Sequence, residues 1–598
     1  MKKKNPEYLD RLRKAMKDHG IDAVIIENTD PHQSEIAPVH WRGLEWLTGF
    51  EGENGVNGTA VVTADHALVW TDSRYFIQAE EQLQDTGFSM MKEDGPEAVN
   101  LIDWVVENTK EGDTVGLDGM TFSVSYAQRI EQACNDNGIK FNPNFPQFDY
   151  MYPERPERPM NKLFVHDEKL VGEDVDSKMD RLMTEVKAEL ANSILLSALD
   201  DIAWATNVRT INDIPYSPIF VSYLYVDDSQ RILFVEDEKL TDEVKEHLKK
   251  YRIEVRPYDS VVDFVATLPK ERRLLLDPEK TARGVYDKIA CTPVFGGAGV
   301  AKLKSIKNST MLLNMDIAME KDGIALIKFF KYVEENAPSG KLTEVGLGKL
   351  IRDLRLADPS CKDESFHPII GWNAHGALAH YEATEKTDFT IEGNGILVVD
   401  SGGQYTYGTT DITRTIAIGT PTEEQKRDFT LVLKGHLALA HVKFPEGTRG
   451  AQLDVLARQY MWSEGKTYYH GTGHGVGFFI NCHEGPQSIR LNENPQSLEP
   501  GMVTSDEPGL YFEGRYGIRS ENLIVVEPWK TTEFGPFYQF KTITLFPYDK
   551  RLMDFSILTA EEIGWINDYH KMVYDRLSPL VSEDEKKWLA EKTSPITK

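Results

Sequence analysis

Apolar and polar positions fall into short blocks along the first half of the chain. DRLRKAMKDHGIDAVIIEN starts at Asp10, where a helical spacing gives way to a compact apolar run at 23–26. The same passage recurs as DRLMTEVKAELANSILLSA from Asp180, ending in an apolar run at 193–196. In both, the run starts thirteen residues after the Asp. Further short apolar runs at 67–70 and 232–235 are each followed by acidic residues and another helical stretch. Helices alternating with short apolar strands predict α/β units. The correspondence between the two passages predicts a duplication.

NPNFPQFDYMYPERPERP separates the copies, with prolines at 143, 146, 153, 156 and 159. Proline fixes φ and removes a donor, so this stretch is expected to be an extended surface linker. A second boundary is expected in FGGAGVAKLKSIKNS, 295–309. Its Gly-x-Gly lacks a third glycine at the right offset and follows a strand spoiled by Pro293, which argues against a dinucleotide fingerprint. A long amphipathic helix is expected over 311–335, stopped by APSGK. The expected domains are 1–158, its repeat 159–308, and an α+β domain over 309–598.

The net charge of −28 disfavours nucleic acid as a partner, because phosphate binding needs a basic surface. The four cysteines are far apart and form no CxxC pair, which points to a reducing compartment. The basic N-terminus lacks a following apolar segment, and no apolar run approaches the ~18 residues of a membrane span. A cytoplasmic protein with no membrane partner is expected.

GILVVDSGGQYTYGTTDITRTIAIG, 395–419, carries a buried strand at 396–399 ending in Asp400 and an alternating strand at 412–418. The pair resembles a hairpin, across which Asp400 and Asp411 can approach each other. Two facing carboxylates repel unless a cation lies between them. Glu507 lies beside a Pro-Gly turn, and Glu521 immediately precedes another strand-like run. Each acid taken alone reads more readily as a solvated residue at a strand end, and Asp506 and Glu513 compete for the same role.

HGTGHGVGFFINCHEGP begins at His470. Four glycines alternate between His470 and Phe478, and glycine is unfavourable in a helix by about 1 kcal/mol relative to Ala. His470 and His474 are therefore not a helical zinc pair. A glycine-spaced strand or loop would let a metal or substrate approach the backbone. His474 beside several acids is a reasonable ligand, since neutral imidazole commonly binds metal. Two divalent ions would offset four carboxylates and a bridging hydroxide to within one charge. Oxygen-rich ligation with one imidazole suits Mn²⁺, while Zn²⁺ and Co²⁺ also fit.

The order Asp400, Asp411, His474, Glu507, Glu521 resembles the five-ligand dinuclear site of the pita-bread metallopeptidases. HGTGHGVG, HEGP and AHYEAT (379–384) resemble the aminopeptidase P branch, and the doubled front half resembles its long, three-domain cytosolic form. Similarity extends through WTDSRYFIQA (70–79), DIAWATNVR (201–209) and WINDYHKMVYDRLSPL (565–580). The resemblance implies two creatinase-like N-terminal α/β domains and a pita-bread catalytic domain. It implies an aminopeptidase that removes the residue before a proline at the second position, through a hydroxide bridging two metal ions. Asp400 would bind one ion, Asp411 and Glu521 would bridge, and His474 and Glu507 would hold the second. Glu507 would also act as general base. His380 and His483 would orient substrate and stabilise charge. Arg74 would reach the substrate, Arg519 would bias Glu521 or the substrate, and His470 would support the ligands from behind. A homodimer is implied as well. The rivals are a prolidase restricted to dipeptides, a creatinase-like amidinohydrolase, and a binding module that has lost its acids. Two departures from the family pattern are NAHGALAHY (373–381), with His375 and Ala379, and Cys482 beside His483.

Overall fold

The structure, a computed structural model, describes residues 6–52, 55–72, 75–95, 97–379 and 381–597. They form two compact units. One comprises Met1–Val165, Asp174–Pro215 and Ile219–Val300, and the other His166–Glu173, Tyr216–Pro218 and Ala301–Lys598.

In the first unit, helix α1 (Pro6–His19) leads into strand β1 (Ala23–Glu27). Leu9, Leu12 and Met16 are buried, the three-and-four spacing of one helical face. Strands β2 (Thr59–Thr63), β3 (Ala67–Thr71), β4 (Ser89–Lys92), β5 (Thr114–Gly116) and β6 (Lys140–Asn142) complete a sheet of order β4-β3-β2-β1-β5-β6. Its centre is apolar on both faces. Val24 and Ile26 pack with Leu12 and Met16, while Ala23 and Ile25 pack with Val115 and Ile130. That is why the run at 23–26 is continuous rather than alternating.

The same plan is built a second time. Helix α2 (Val175–Ala188) leads into β7 (Ser193–Leu196). Strands β8 (Tyr223–Asp227), β9 (Arg231–Phe234), β10 (Ile253–Arg256), β11 (Arg273–Leu276) and β12 (Thr292–Phe295) follow, giving the order β10-β9-β8-β7-β11-β12. The strand directions match one for one. β1–β2 and β7–β8 are antiparallel, β1–β5 and β7–β11 parallel, and β3–β4 and β9–β10 parallel. The duplication read from the sequence is thus a duplication of topology.

The proline-rich stretch is not a surface linker throughout. Gln147–Met151 forms a helical turn, and Phe145, Phe148 and Met151 are buried in the core of the first sheet. Their spacing of three places them on one face of that turn, a signal that the prolines masked.

The second unit opens with helix α3 (Ser309–Asn336), whose first turn is capped by the Asn308 side chain accepting from the Met311 amide. A three-stranded sheet follows, made of β13 (Ile369–Trp372), β14 (Gly395–Ser401) and β17 (Ile412–Ile418). Between the last two, β15 (Gly403–Tyr405) and β16 (Gly408–Thr409) pair with each other in a separate small sheet. The segment 395–419 is therefore more than one hairpin: Asp400 sits opposite Thr413, and Asp411 lies just ahead of β17. After α4 (Glu423–Ala440) and α5 (Gly450–Trp462) come β18 (Lys443–Pro445, between these helices), β19 (Gly473–Gly475), β20 (Glu484–Ile489) and β21 (Val503–Asp506). The two-stranded pair β22 (Gly509–Phe512) and β23 (Tyr516–Arg519) precedes β24 (Asn522–Thr532) and β25 (Gly535–Thr542). The main sheet has the order β18-β25-β24-β21-β19-β20. Met315, Phe329, Leu397, Val432, Leu523 and Ile566, the last on helix α6 (Ala560–Leu577), belong to one buried core. Among the described residues, no helix is long and apolar enough to cross a membrane.

Candidate metal centre

Five side chains converge from the ends and centres of strands in two sheets. Asp400 is in β14, Asp411 just precedes β17, and His474 is the middle residue of β19. Glu507 just follows β21, and Glu521 just precedes β24. Backbone bonds fix these points, the first between the two sheets and the second within the main sheet. The Glu521 amide donates to the Thr413 carbonyl at 3.1 Å, and the Glu507 amide to the Thr472 carbonyl at 2.8 Å.

The glycines flanking His474 have a local purpose. A Cβ on Gly473 would lie 1.9 Å from the Ser505 carbonyl oxygen, and one on Gly475 would lie 2.6 Å from that of Glu484. At both positions a neighbouring strand approaches the backbone closely. This close packing presses His474 against the acids.

His474 Nε2 lies 3.4 Å from both Asp411 Oδ2 and Glu507 Oε1. Its Nδ1 donates to the Gly475 carbonyl at 2.9 Å, which fixes the ring and turns Nε2 toward the carboxylates. Ser505 serves two groups: its hydroxyl accepts from the His474 amide at 3.0 Å and donates to Glu507 Oε1 at 3.0 Å. Thr413 donates to Glu521 Oε2 at 2.7 Å, and Cys482 donates its S–H to Asp411 Oδ2 at 3.3 Å. Arg519 donates to Asp400 and, through Nη1, to Tyr511 Oη at 2.7 Å. Tyr511 in turn donates to His470 Nε2 at 2.8 Å, because His470 Nδ1 is used by the Gly471 carbonyl. His470 thus supports Asp400 through two intermediaries. The His483 ring stands 4.4 Å from that of His474, edge to face.

Burial and mutual repulsion shape the charge of the cluster. Burial pushes the Glu521 carboxyl well above the ordinary range, and Asp411, Asp400 and Glu507 add to it by repulsion. Glu507 is pushed up to about 7, by burial first, with His474 opposing and Asp411 adding. Burial raises Asp400 as well, against the pull of Arg519. Burial also opposes ionisation of Asp411, but hydrogen bonding and charge from His474 outweigh it and hold this carboxyl below its usual value. Burial and the neighbouring His483 lower His474, yet Asp411 and Glu507 prevail and raise it. A proton on His474 and a metal ion therefore compete for one position. Asp400 Oδ1 is buried without a hydrogen-bond partner. An orphaned carboxylate oxygen, three further acids and an oriented imidazole form a donor set that fits hard divalent cations. Burial keeps the Cys482 thiol protonated, well above its usual range.

Arg74 and His380 lie outside the described residues. Asp506 does not join the cluster: it lies behind it, with Oδ2 3.1 Å from His436 Nδ1. Sequence reading missed Ser505, Thr413 and Tyr511. Their only signal is alternation along strands that end in an acid, which is too common to single them out.

Comparison with known proteins follows this geometry. Residues 314–528 match metallopeptidase family M24, and 536–596 match the C-terminal region of peptidase M24. Residues 9–146 and 154–310 each match a creatinase/prolidase N-terminal domain. Xaa-Pro aminopeptidase 1 of Dictyostelium discoideum is 35% identical, across 98% of this chain and 96% of its own length. The chain belongs to the Xaa-Pro aminopeptidase family. Its fold is accordingly a pair of creatinase-type α/β domains followed by a pita-bread catalytic domain. X-prolyl aminopeptidase from Caenorhabditis elegans, a cytosolic enzyme with a di-nuclear active site, superposes with a TM-score of 0.92 at 31% identity, over 99% of both chains. Xaa-Pro dipeptidase from Bacillus anthracis shares the fold at 22% identity and a TM-score of 0.53. It is covered to 99% of its own length but matches only 63% of this chain.

Proposed function

We propose that this chain is a metal-dependent aminopeptidase that releases the N-terminal residue from peptides with proline at the second position. The observation that carries this reading is the convergence of Asp400, Asp411, Glu507 and Glu521 on an oriented His474. Similarity along the full length of an X-prolyl aminopeptidase supports it. Asp400, Asp411, His474, Glu507 and Glu521 would hold two divalent ions, with Asp411 and Glu521 shared between them. When bound, such a pair lowers the pKa of a shared water and polarises the scissile carbonyl.

The chain's own residues do the rest. Glu507, its orientation fixed by Ser505, takes the proton from the attacking water and passes it to the proline nitrogen. His483 stands beside His474 and donates to the developing oxyanion. By family resemblance alone, His380 would share the orienting role and Arg74 would contact the substrate. Arg519 offsets the charge of Asp400, and His470 with Tyr511 holds that arginine in place. Proline's tertiary amide offers no N–H, so recognition rests on ring shape rather than on a backbone donor.

We assign the domains as 1–158, 159–308 and 309–598, supported by the separate family matches. Mn²⁺ is the ion proposed, on the hardness of the donors. A homodimer and a cytoplasmic location are proposed with it, the latter supported by four free, buried cysteines and by the cytosolic relative. A prolidase is disfavoured because the dipeptidase match leaves over a third of this chain uncovered.

The test is hydrolysis of an Xaa-Pro-Xaa tripeptide after chelation and Mn²⁺ add-back. We expect cleavage before proline that is lost on chelation and restored by the ion. Equal cleavage of the Xaa-Ala-Xaa peptide would remove the specificity, and cleavage of Xaa-Pro dipeptides alone would make the protein a prolidase.

A further inference from the structure

Asp411 is shared by two donor sets of opposite softness. With His474 and Glu521 it forms one group whose ligand atoms lie within 4.8 Å of one another. With Cys482 and His483 it forms a second group that meets the same limit. Cys482 and Asp411 are only 4% and 3% exposed, and the sulfur lies 3.3 Å from Asp411 Oδ2.

The segment carrying the sulfur is built to stay in place. Phe479 adopts a left-handed φ of 53°, and its amide donates to Thr409 Oγ1 at 3.1 Å. Gln404 Nε2 donates to the Ile480 carbonyl at 2.7 Å. Both partners lie on β15 and β16, just ahead of Asp411. The turn that places Cys482 and His483 is thereby fixed to the segment that places Asp411, which holds the three donors near one another.

We propose that Asp411, Cys482 and His483 form a site for a soft divalent ion, of the Zn²⁺ or Cd²⁺ class, which competes with the catalytic ions for Asp411. Three arguments carry it. A thiolate, a carboxylate and a neutral imidazole together balance one divalent ion. Three protein donors with an open fourth position suit tetrahedral ions. Sulfur favours soft ions, whereas the group around His474, Glu507 and Glu521 offers only oxygen and nitrogen and suits hard and borderline ones, so Cd²⁺ separates the two sites more sharply than Zn²⁺ does. On binding, the ion replaces the thiol proton, which passes to solvent, and the S–H bond to Asp411 is exchanged for two bonds to the ion. One carboxylate cannot serve both centres in the same orientation, so occupancy of the soft site switches the hard site off. The competition rests on the proposed function; the ion site itself does not.

The experiment titrates the full-length chain with Cd²⁺ and follows the ultraviolet thiolate-to-cadmium charge-transfer band. We expect the band to saturate at one thiolate per chain, to vanish in Cys482→Val and Cys482→Ser, and to need about tenfold or more Cd²⁺ in His483→Gln. Excess Mn²⁺, which gives no such band, should diminish it. No band, or one undiminished in both Cys482 variants, overturns the site. A titration unchanged in His483→Gln overturns the three-donor arrangement. A Cys482-dependent band indifferent to Mn²⁺ overturns the competition, and that result is independent of whether the chain cleaves Xaa-Pro peptides.

Discussion

Arg519 holds Asp400 by two hydrogen bonds to one oxygen, Nη2 to Oδ2 at 2.5 Å and Nε to Oδ2 at 3.1 Å. Both side chains are buried. Breaking a buried pair from one side leaves an unpaired charge and costs about 3–5 kcal/mol. Arg519→Gln should therefore destabilise the chelated protein by about that amount. A divalent ion beside Asp400 replaces the lost cation, so Mn²⁺ should raise the melting temperature of the variant by more than it raises that of the wild type. Thermal unfolding with and without Mn²⁺ measures both. An equal shift in the two proteins would separate Asp400 from the metal.

Ser505 links the His474 backbone to the Glu507 carboxylate. Ser505→Ala removes both bonds and adds no bulk. Losing supporting hydrogen bonds of this kind typically lowers metal affinity or activity about 10–100-fold. We expect that loss in kcat/KM with a stability change of only ~1–2 kcal/mol. Steady-state kinetics beside a denaturant titration separates the two effects, and unaltered kinetics would show that Glu507 needs no such support.

Gly473→Ala tests why the histidine strand is glycine-rich. Its Cβ would meet the Ser505 carbonyl at 1.9 Å, so the strands must part. Overpacking of this sort costs about 1–3 kcal/mol. Activity should fall more than stability does, because the displaced residue is next to His474. Gly471→Ala is the control: its nearest neighbour would be 3.5 Å away, an ordinary contact.

His570, which is not among the metal ligands, gives a pH dependence of its own. It lies in the second unit, and burial, with Lys550 and Arg414 adding repulsion, lowers its pKa to about 3. Its Nε2 accepts from the Tyr548 amide at 3.1 Å, which requires the neutral ring. The unfolded chain protonates this histidine near its ordinary value of 6.5, the folded chain only near 3. The contribution is thus complete above 6.5 and is lost as pH falls from there toward 3. His570→Gln, which keeps an acceptor, should lose less stability across that window. Chemical denaturation at several pH values reads the difference in slope, and identical slopes would assign the acid sensitivity to other groups.

Much of this arrangement was legible in the chain itself. The thirteen-residue spacing from Asp10 and Asp180 to their strands identified a repeated unit because both strands are buried on both faces. Asp400, Asp411 and Glu521 did not stand out singly; their order with His474 and Glu507, matched to the family pattern, singled them out. The helix at 311–335 was bounded correctly to within two residues of Ser309–Asn336. Other features were hidden for physical reasons. Prolines in 142–159 obscured the buried face made by Phe145, Phe148 and Met151. The excursion through β15 and β16 depends on long-range pairing with Cys361–Glu364, which no local pattern encodes. The partners of Arg519 were not readable either. Its direct bonds to Asp400 and Tyr511 are set by strand register, and it reaches Glu521 only through Thr413, whose hydroxyl accepts from Arg519 and donates to Glu521.

The most direct measurement is the divalent-ion content of the purified full-length chain, taken together with its rate on an Xaa-Pro-Xaa peptide. The account predicts two Mn²⁺ per chain after loading, a rate that rises and falls with that occupancy, and loss of both in Asp411→Asn and Glu521→Gln. Full activity in a chain stripped of divalent ions, or two ions retained by both variants, would contradict it.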